Sequence, residues 1–152
     1  MPICKQTQPL PSKDGSIDNA QVKIATFNLF NYLEPPHAFY DFERIYSIEQ
    51  WTKKQLWIND YLCEFKPDII GFQEVFSSES LRQLVKEQGY HYFRVVDQPQ
   101  IKDDFIYSHP VVAIASRYPI VETSTVSVDA HLAVSMGLSK DFSFSRNVLR
   151  AT

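Results

Sequence analysis

Residues 22–75 read as strand, amphipathic helix, strand, and that order leaves the chain few ways to fold. Val22 to Phe30 (VKIATFNLF) is β-branched and aromatic, and apolar on both faces toward its end, as in a strand buried within a sheet. Ser47 with Gln50 three positions on is a capping-box pattern. Ile48, Trp51, Gln55, Ile58, Leu62 and Phe65 then recur at spacings of three and four. They lay one stripe along a helix, with Gln55 as its polar interruption. Pro67 ends that helix. Asp68 to Val75 (DIIGFQEV) repeats the buried-strand pattern. Two such strands joined by a helical crossover lie parallel, with a right-handed connection.

The rest of the chain follows from this unit. Residues 31–46 (NYLEPPHAFYDFERIY) hold two prolines among many aromatics, which predicts a long connection packed by its own side chains. Ser77 or Ser78 caps a second helix, with Leu81, Leu84 and Val85 inward and Gly89 at its stop. Tyr90 to Val96 reads as a strand and residues 97–109 as a polar loop. Pro110 to Arg117, Ile120 to Asp129 and Phe142 to Thr152 read as further strands, with a loop (AHLAVSMG) before the last. The order β-α-β-α-β followed by antiparallel strands implies an α/β layered sandwich rather than a doubly wound sheet. Residues 1–20 lack periodicity and are expected to be a flexible tail, leaving 21–152 as the domain.

Composition removes several classes of function. Only four glycines are present, so GxGxxG and GxxxxGK[ST] phosphate loops are excluded. The net charge of −3 means that a phosphate-bearing substrate needs a metal or a local basic patch to offset repulsion. No apolar run approaches the roughly 18 residues of a membrane span, and the first residues show no signal-peptide pattern. Cys4 and Cys63 form no CxxC and suggest no disulfide framework, so a reducing cytoplasm is the default location.

The chemistry concentrates on two side chains. Asn28 and Glu74 lie at similar depth in the two parallel strands and so emerge at the same carboxyl edge, where ligand sites of α/β sheets collect. Neighbouring strands are about 4.8 Å apart, close enough for the pair to share one hard cation such as Mg²⁺. The ordinary alternative is a solvated carboxylate and a turn-capping amide. Against that, Glu74 ends a run too apolar to finish in a charge without a partner.

ATFNLFN around Asn28, PDIIGFQEVF around Glu74, VVAIASRYPIV and FSRNVLRAT together resemble the endonuclease/exonuclease/phosphatase superfamily over residues 22–152. That superfamily includes deoxyribonuclease-I-like nucleases, exonuclease-III-like repair enzymes, inositol-polyphosphate phosphatases and neutral sphingomyelinases. The resemblance implies a four-layer α/β sandwich of the deoxyribonuclease-I-like type, of which this chain would be the N-terminal portion. It implies a phosphoesterase dependent on Mg²⁺, with Mn²⁺ as an alternative, in which water attacks phosphorus. By position, Glu74 matches the metal-ligating Glu and Asn28 the Asn that helps place metal and phosphate, with Gln73 supporting Glu74.

The family's later GDFN-like and SDH-like segments, which supply its acid–base groups, have no counterpart here. The isolated chain is therefore expected to be inactive and to self-associate through unpaired strands. His109 and His131 are the loop histidines that could substitute, the alternative being ordinary surface residues; His37 and His91 have aromatic neighbours and are expected to pack. Arg117, Arg146 and Arg150 suit phosphate oxygens, the alternative being solvated charge on a sheet face. Nucleic acid, phosphoinositide and phospholipid headgroup all remain open as the phosphate-ester substrate. Two other readings stand beside the enzyme: a non-catalytic α/β interaction module, and a truncated gene product without function.

Overall fold

The computed structural model describes residues 21–152; the expected tail, 1–20, lies outside the described residues. Its elements, in chain order, are β1 (Ile24–Tyr32), β2 (Ala38–Phe39), α1 (Ile48–Phe65), β3 (Ile69–Val75), α2 (Ser78–Glu87), β4 (Tyr92–Val95), β5 (Gln100–Lys102), β6 (Ile106–Ser108), β7 (Val111–Ser116), β8 (Thr123–Val126), α3 (Ala130–Ser135) and β9 (Val148–Ala151). The class is mixed α/β.

The capping box forms as its spacing predicts. Ser47 Oγ accepts from the Gln50 N–H at 3.1 Å, and Gln50 Oε1 accepts from the Ser47 N–H at 2.9 Å. Trp51, Ile58 and Leu62 then face inward. Gln55 is buried with them because its amide donates to the Tyr32 hydroxyl at 2.7 Å, which satisfies two buried polar groups at once. Ile48 and Phe65, expected inward, are exposed: the buried stripe covers only the middle turns of α1.

β1 and β3 pair in parallel, as the crossover requires, in a sheet of order β1-β3-β7-β4. β7 is antiparallel to both β3 and β4. Leu81, Leu84 and Val85 of α2 join the buried residues of α1 and the inward Leu29, Ile70, Phe72, Phe93, Ala113 and Ala115 in one core cluster. Both helices therefore cover the same face of the sheet. Period-two alternation puts Thr26, Asn28, Gly71, Gln73, Val112 and Ile114 on the opposite face.

Several local expectations are corrected. Residues 97–109 are not a simple loop. β5 and β6 pair there, and β6 also pairs with β2 from the 31–46 connection, making a second sheet pinned by buried Ile106 and Ala38. The AHLAVSMG segment contains α3, because Asp129 Oδ1 accepts from the N–H groups of His131 and Leu132 and nucleates a helical turn. The strands expected at 120–129 and 142–152 shorten to β8 and β9, which among the described residues pair only with each other. Ser77 is the N-cap residue of α2, as expected, but its hydroxyl makes no capping bond and accepts from the Glu34 N–H instead. Cys63 is disulfide-bonded, against the expectation of no disulfide framework, and Cys4 lies outside the described residues. Among the described residues no helix is long and apolar enough to cross a membrane.

Candidate functional site

On β3, Ile70 and Phe72 face the helices and Gly71 and Gln73 face away. Continued alternation would turn Glu74 toward the helices and bury its charge in the core. Two irregularities prevent this. Between the pairs Asn28↔Gln73 and Tyr32↔Val75, β1 takes four steps where β3 takes two. Between Phe72↔Ala113 and Val75↔Val111, β3 takes three steps where β7 takes two. Both strands thus bulge at one place, and bulges re-aim side chains. Phe30, Asn31 and Glu74 all sit at positive φ, at 49°, 57° and 59°, a conformation that costs a residue with a side chain about 1–3 kcal/mol. None of the three is glycine, so the surrounding hydrogen bonds must hold them there.

Those bonds converge on the carboxylate. Glu74 Oε1 accepts from Asn28 Nδ2 at 3.0 Å, and Oε2 accepts from the Asn31 N–H at 2.9 Å. The structure thus brings Asn28 and Glu74 together. It also fixes the direction of the Asn28 amide. Its Oδ1 accepts from the Phe30 N–H at 2.8 Å, and a backbone N–H can only donate, so Nδ2 must face Glu74. In this arrangement Asn28 holds the carboxylate through Nδ2 while its Oδ1 receives the Phe30 N–H. Gln73 does not support Glu74 directly either. Its amide donates to Thr26 Oγ1 at 2.8 Å and stitches β3 to β1.

Sequence reasoning passed over three residues of this site. Asn31 is buried and supplies the second donor to Glu74. Lys54, from α1, donates to the Leu29 and Phe30 carbonyls at 2.7 and 3.0 Å. The Tyr46 hydroxyl donates to the same Phe30 carbonyl at 2.7 Å. Partial burial lowers the Lys54 pKa, and the nearby Glu74 carboxylate opposes that shift. Burial, with help from the Glu74 charge, raises the Tyr46 pKa. Lys54 had a signal: it falls three residues after Trp51 and four before Ile58, on the flank of the buried stripe.

Asn28, Gln73 and Glu74 open on a cavity of about 550 Å³ on the sheet face opposite α1 and α2, walled by Val112, Ile114 and the 144–149 segment. Arg146 lines it, and of the three arginines singled out it alone does so. A smaller adjoining cavity of about 230 Å³ contains Asp97, His109 and Asn147, and Arg146 lines this one too. Arg117 lies elsewhere. It follows Ser116, which pairs with Ile69 at the opposite end of β3, and its guanidinium lies 4.3 Å from the Tyr90 ring centroid while donating to the Pro67 carbonyl. Arg150 is exposed on β9, and His131 is exposed in the first turn of α3. His37 packs against Phe105 and Tyr107, as expected, but His91 is exposed. Among the described residues no group of three or more His, Cys, Asp or Glu side chains gathers where it could hold a metal ion. No protein-family model, curated protein or solved structure matches the chain.

Two buried phenols, Tyr32 and Tyr90, and the half-buried Tyr46 give the protein a defined alkaline limit. Burial raises the pKa of Tyr32, Tyr46 and Tyr90. Raised folded-state values mean stability that is fully present below about pH 10, where unfolded tyrosine titrates, and lost as pH climbs beyond it. Lys54, lowered by burial, acts in the opposite direction, but alone against three. The urea midpoint should hold steady between about pH 8 and 9.5 and fall between about pH 10 and 11. A midpoint that rises over the upper interval would contradict the burial of these hydroxyls.

Proposed function

We propose that this chain carries the metal-binding part of a divalent-metal-dependent phosphoesterase of the endonuclease/exonuclease/phosphatase superfamily, in a deoxyribonuclease-I-like α/β sandwich. The observation that carries the reading is the Glu74 carboxylate, presented at a parallel sheet edge by two N–H donors on a doubly bulged backbone. Structures hold such backbone strain mainly where function requires it.

The donor chemistry fits Mg²⁺ or Mn²⁺. A carboxylate has about four lone-pair positions, so Glu74 can accept both hydrogen bonds and still ligate a hard cation, which needs few protein ligands. When bound, the metal would supply Lewis-acid polarisation of a phosphoryl oxygen. The chain's own residues bind and orient. Glu74 holds the ion, the second N–H of Asn28 Nδ2 can donate to a phosphate oxygen, and Arg146 can grip phosphate from the cavity wall. Nucleic acid, phosphoinositide and phospholipid headgroup share this phosphate-ester chemistry. His109 lines the adjoining cavity rather than that of Glu74, so acid–base chemistry is the weaker half of the site and turnover by this chain alone should be slight.

The test is ³¹P relaxation of bis-p-nitrophenyl phosphate with Mn²⁺. Protein should sharply enhance the relaxation, and both Glu74→Gln and excess EDTA should abolish the enhancement. Equal enhancement with the Glu74→Gln protein would overturn the reading.

A further inference from the structure

We propose that Lys54 is a positioning residue for Glu74, acting through the peptide group that joins Phe30 to Asn31. The inference rests on the metal-site reading for its consequence, but its geometry stands alone. The carbonyl of that peptide accepts from Lys54 Nζ at 3.0 Å and from the Tyr46 hydroxyl at 2.7 Å. The N–H of the same peptide donates to Glu74 Oε2 at 2.9 Å. A peptide group is planar, so fixing its oxygen fixes the direction of its N–H. Lys54 is itself held on three sides. It donates to the Leu29 carbonyl at 2.7 Å, and its ammonium lies 5.0 Å from the Tyr46 ring centroid and 5.7 Å from that of Phe30. These contacts span two left-handed residues, Asn31, whose type tolerates that conformation, and Phe30, which has no intrinsic reason to stay in it. A charge-assisted bond to the carbonyl also polarises the peptide and strengthens the bond its N–H makes to Glu74.

The two roles a lysine could play here predict opposite signs. A lysine that merely places positive charge near the site repels a cation, so its removal would tighten metal binding. A lysine that positions the carboxylate would weaken binding on removal. The experiment compares wild type, Lys54→Met, Lys54→Arg and Tyr46→Phe. It measures amide hydrogen exchange at Asn31 without metal, and Mn²⁺ affinity by electron paramagnetic resonance.

Lys54→Met should speed Asn31 exchange and raise the Mn²⁺ dissociation constant, each by about tenfold, the scale of one hydrogen bond to a charged group. Lys54→Arg, which can donate to both carbonyls, should restore most of each effect. Tyr46→Phe, which removes one neutral donor, should shift both in the same direction by less, and it carries the test if Lys54→Met fails to fold. Unchanged Asn31 exchange in a folded Lys54→Met protein, or tighter Mn²⁺ binding, would overturn the proposal. Fast exchange in Lys54→Met with no Mn²⁺ binding by wild type would support the clamp on the peptide and remove the metal reading instead.

Discussion

Phe72→Ala should lower the unfolding free energy by about 3–5 kcal/mol, the cost of deleting a buried aromatic and leaving its cavity. Phe72 is fully buried on β3, the strand shared by the β1 and β7 pairings, and its ring packs near Phe27. A domain of this size holds only about 5–15 kcal/mol in total, so the variant should sit close to the edge of folding at room temperature. The site should suffer with the core. Phe72 is the last regularly paired residue of β3 before the bulge against β7, and a loosened anchor there frees Glu74 from its strained conformation. Phe72→Leu, which keeps most of the volume, should cost clearly less. Urea unfolding followed by circular dichroism reads both. A loss under about 1 kcal/mol for Phe72→Ala would show that the sheet is not packed as described.

The elements carried by strong periodicity were legible in the sequence. The α1 stripe, its capping box, the parallel β1–β3 pairing and the inward face of α2 all follow from spacing alone. The short elements were not. β2 has two residues and β5 and β6 have three each, too few to show alternation, and they exist because they pair with each other. The exposure of Ile48 and Phe65 depends on where the sheet ends beneath α1, which no local pattern encodes.

The site divides in the same way. The nearness of Asn28 and Glu74 follows from parallel register. The route to it does not, because simple alternation would send Glu74 to the helix face. Only the paired bulges bring its carboxylate to Asn28, and no glycine marks them. The same bulges place the Phe30 N–H against Asn28 Oδ1, which makes that amide a holder of the carboxylate. Arg117 looked like a phosphate ligand by residue type. It lies on the Tyr90 ring because Tyr90 follows α2 and meets the end of β7 in space. Arg146 reaches the cavity through the irregular 144–147 segment that leads into β9, whose path no periodicity foretells.

Glu74→Gln is the change with the largest expected effect on the site. The amide keeps the side-chain volume but removes the negative charge, and with it the one carboxylate that accepts from both Asn28 and Asn31. One of those two donors must then face the NH₂ group of the new side chain, at a cost of about 1–3 kcal/mol. The core cluster does not include Glu74, so the protein should remain folded. Loss of a ligating carboxylate should weaken cation binding beyond the 10–100-fold that a merely supporting residue typically costs, so by roughly 100-fold or more. The most direct measurement is a Mn²⁺ titration by electron paramagnetic resonance on wild type and Glu74→Gln, with folding checked by circular dichroism. The account predicts a single saturable Mn²⁺ site in wild type that is lost in the folded variant. Equal Mn²⁺ binding by the two proteins, or none by either, would contradict it.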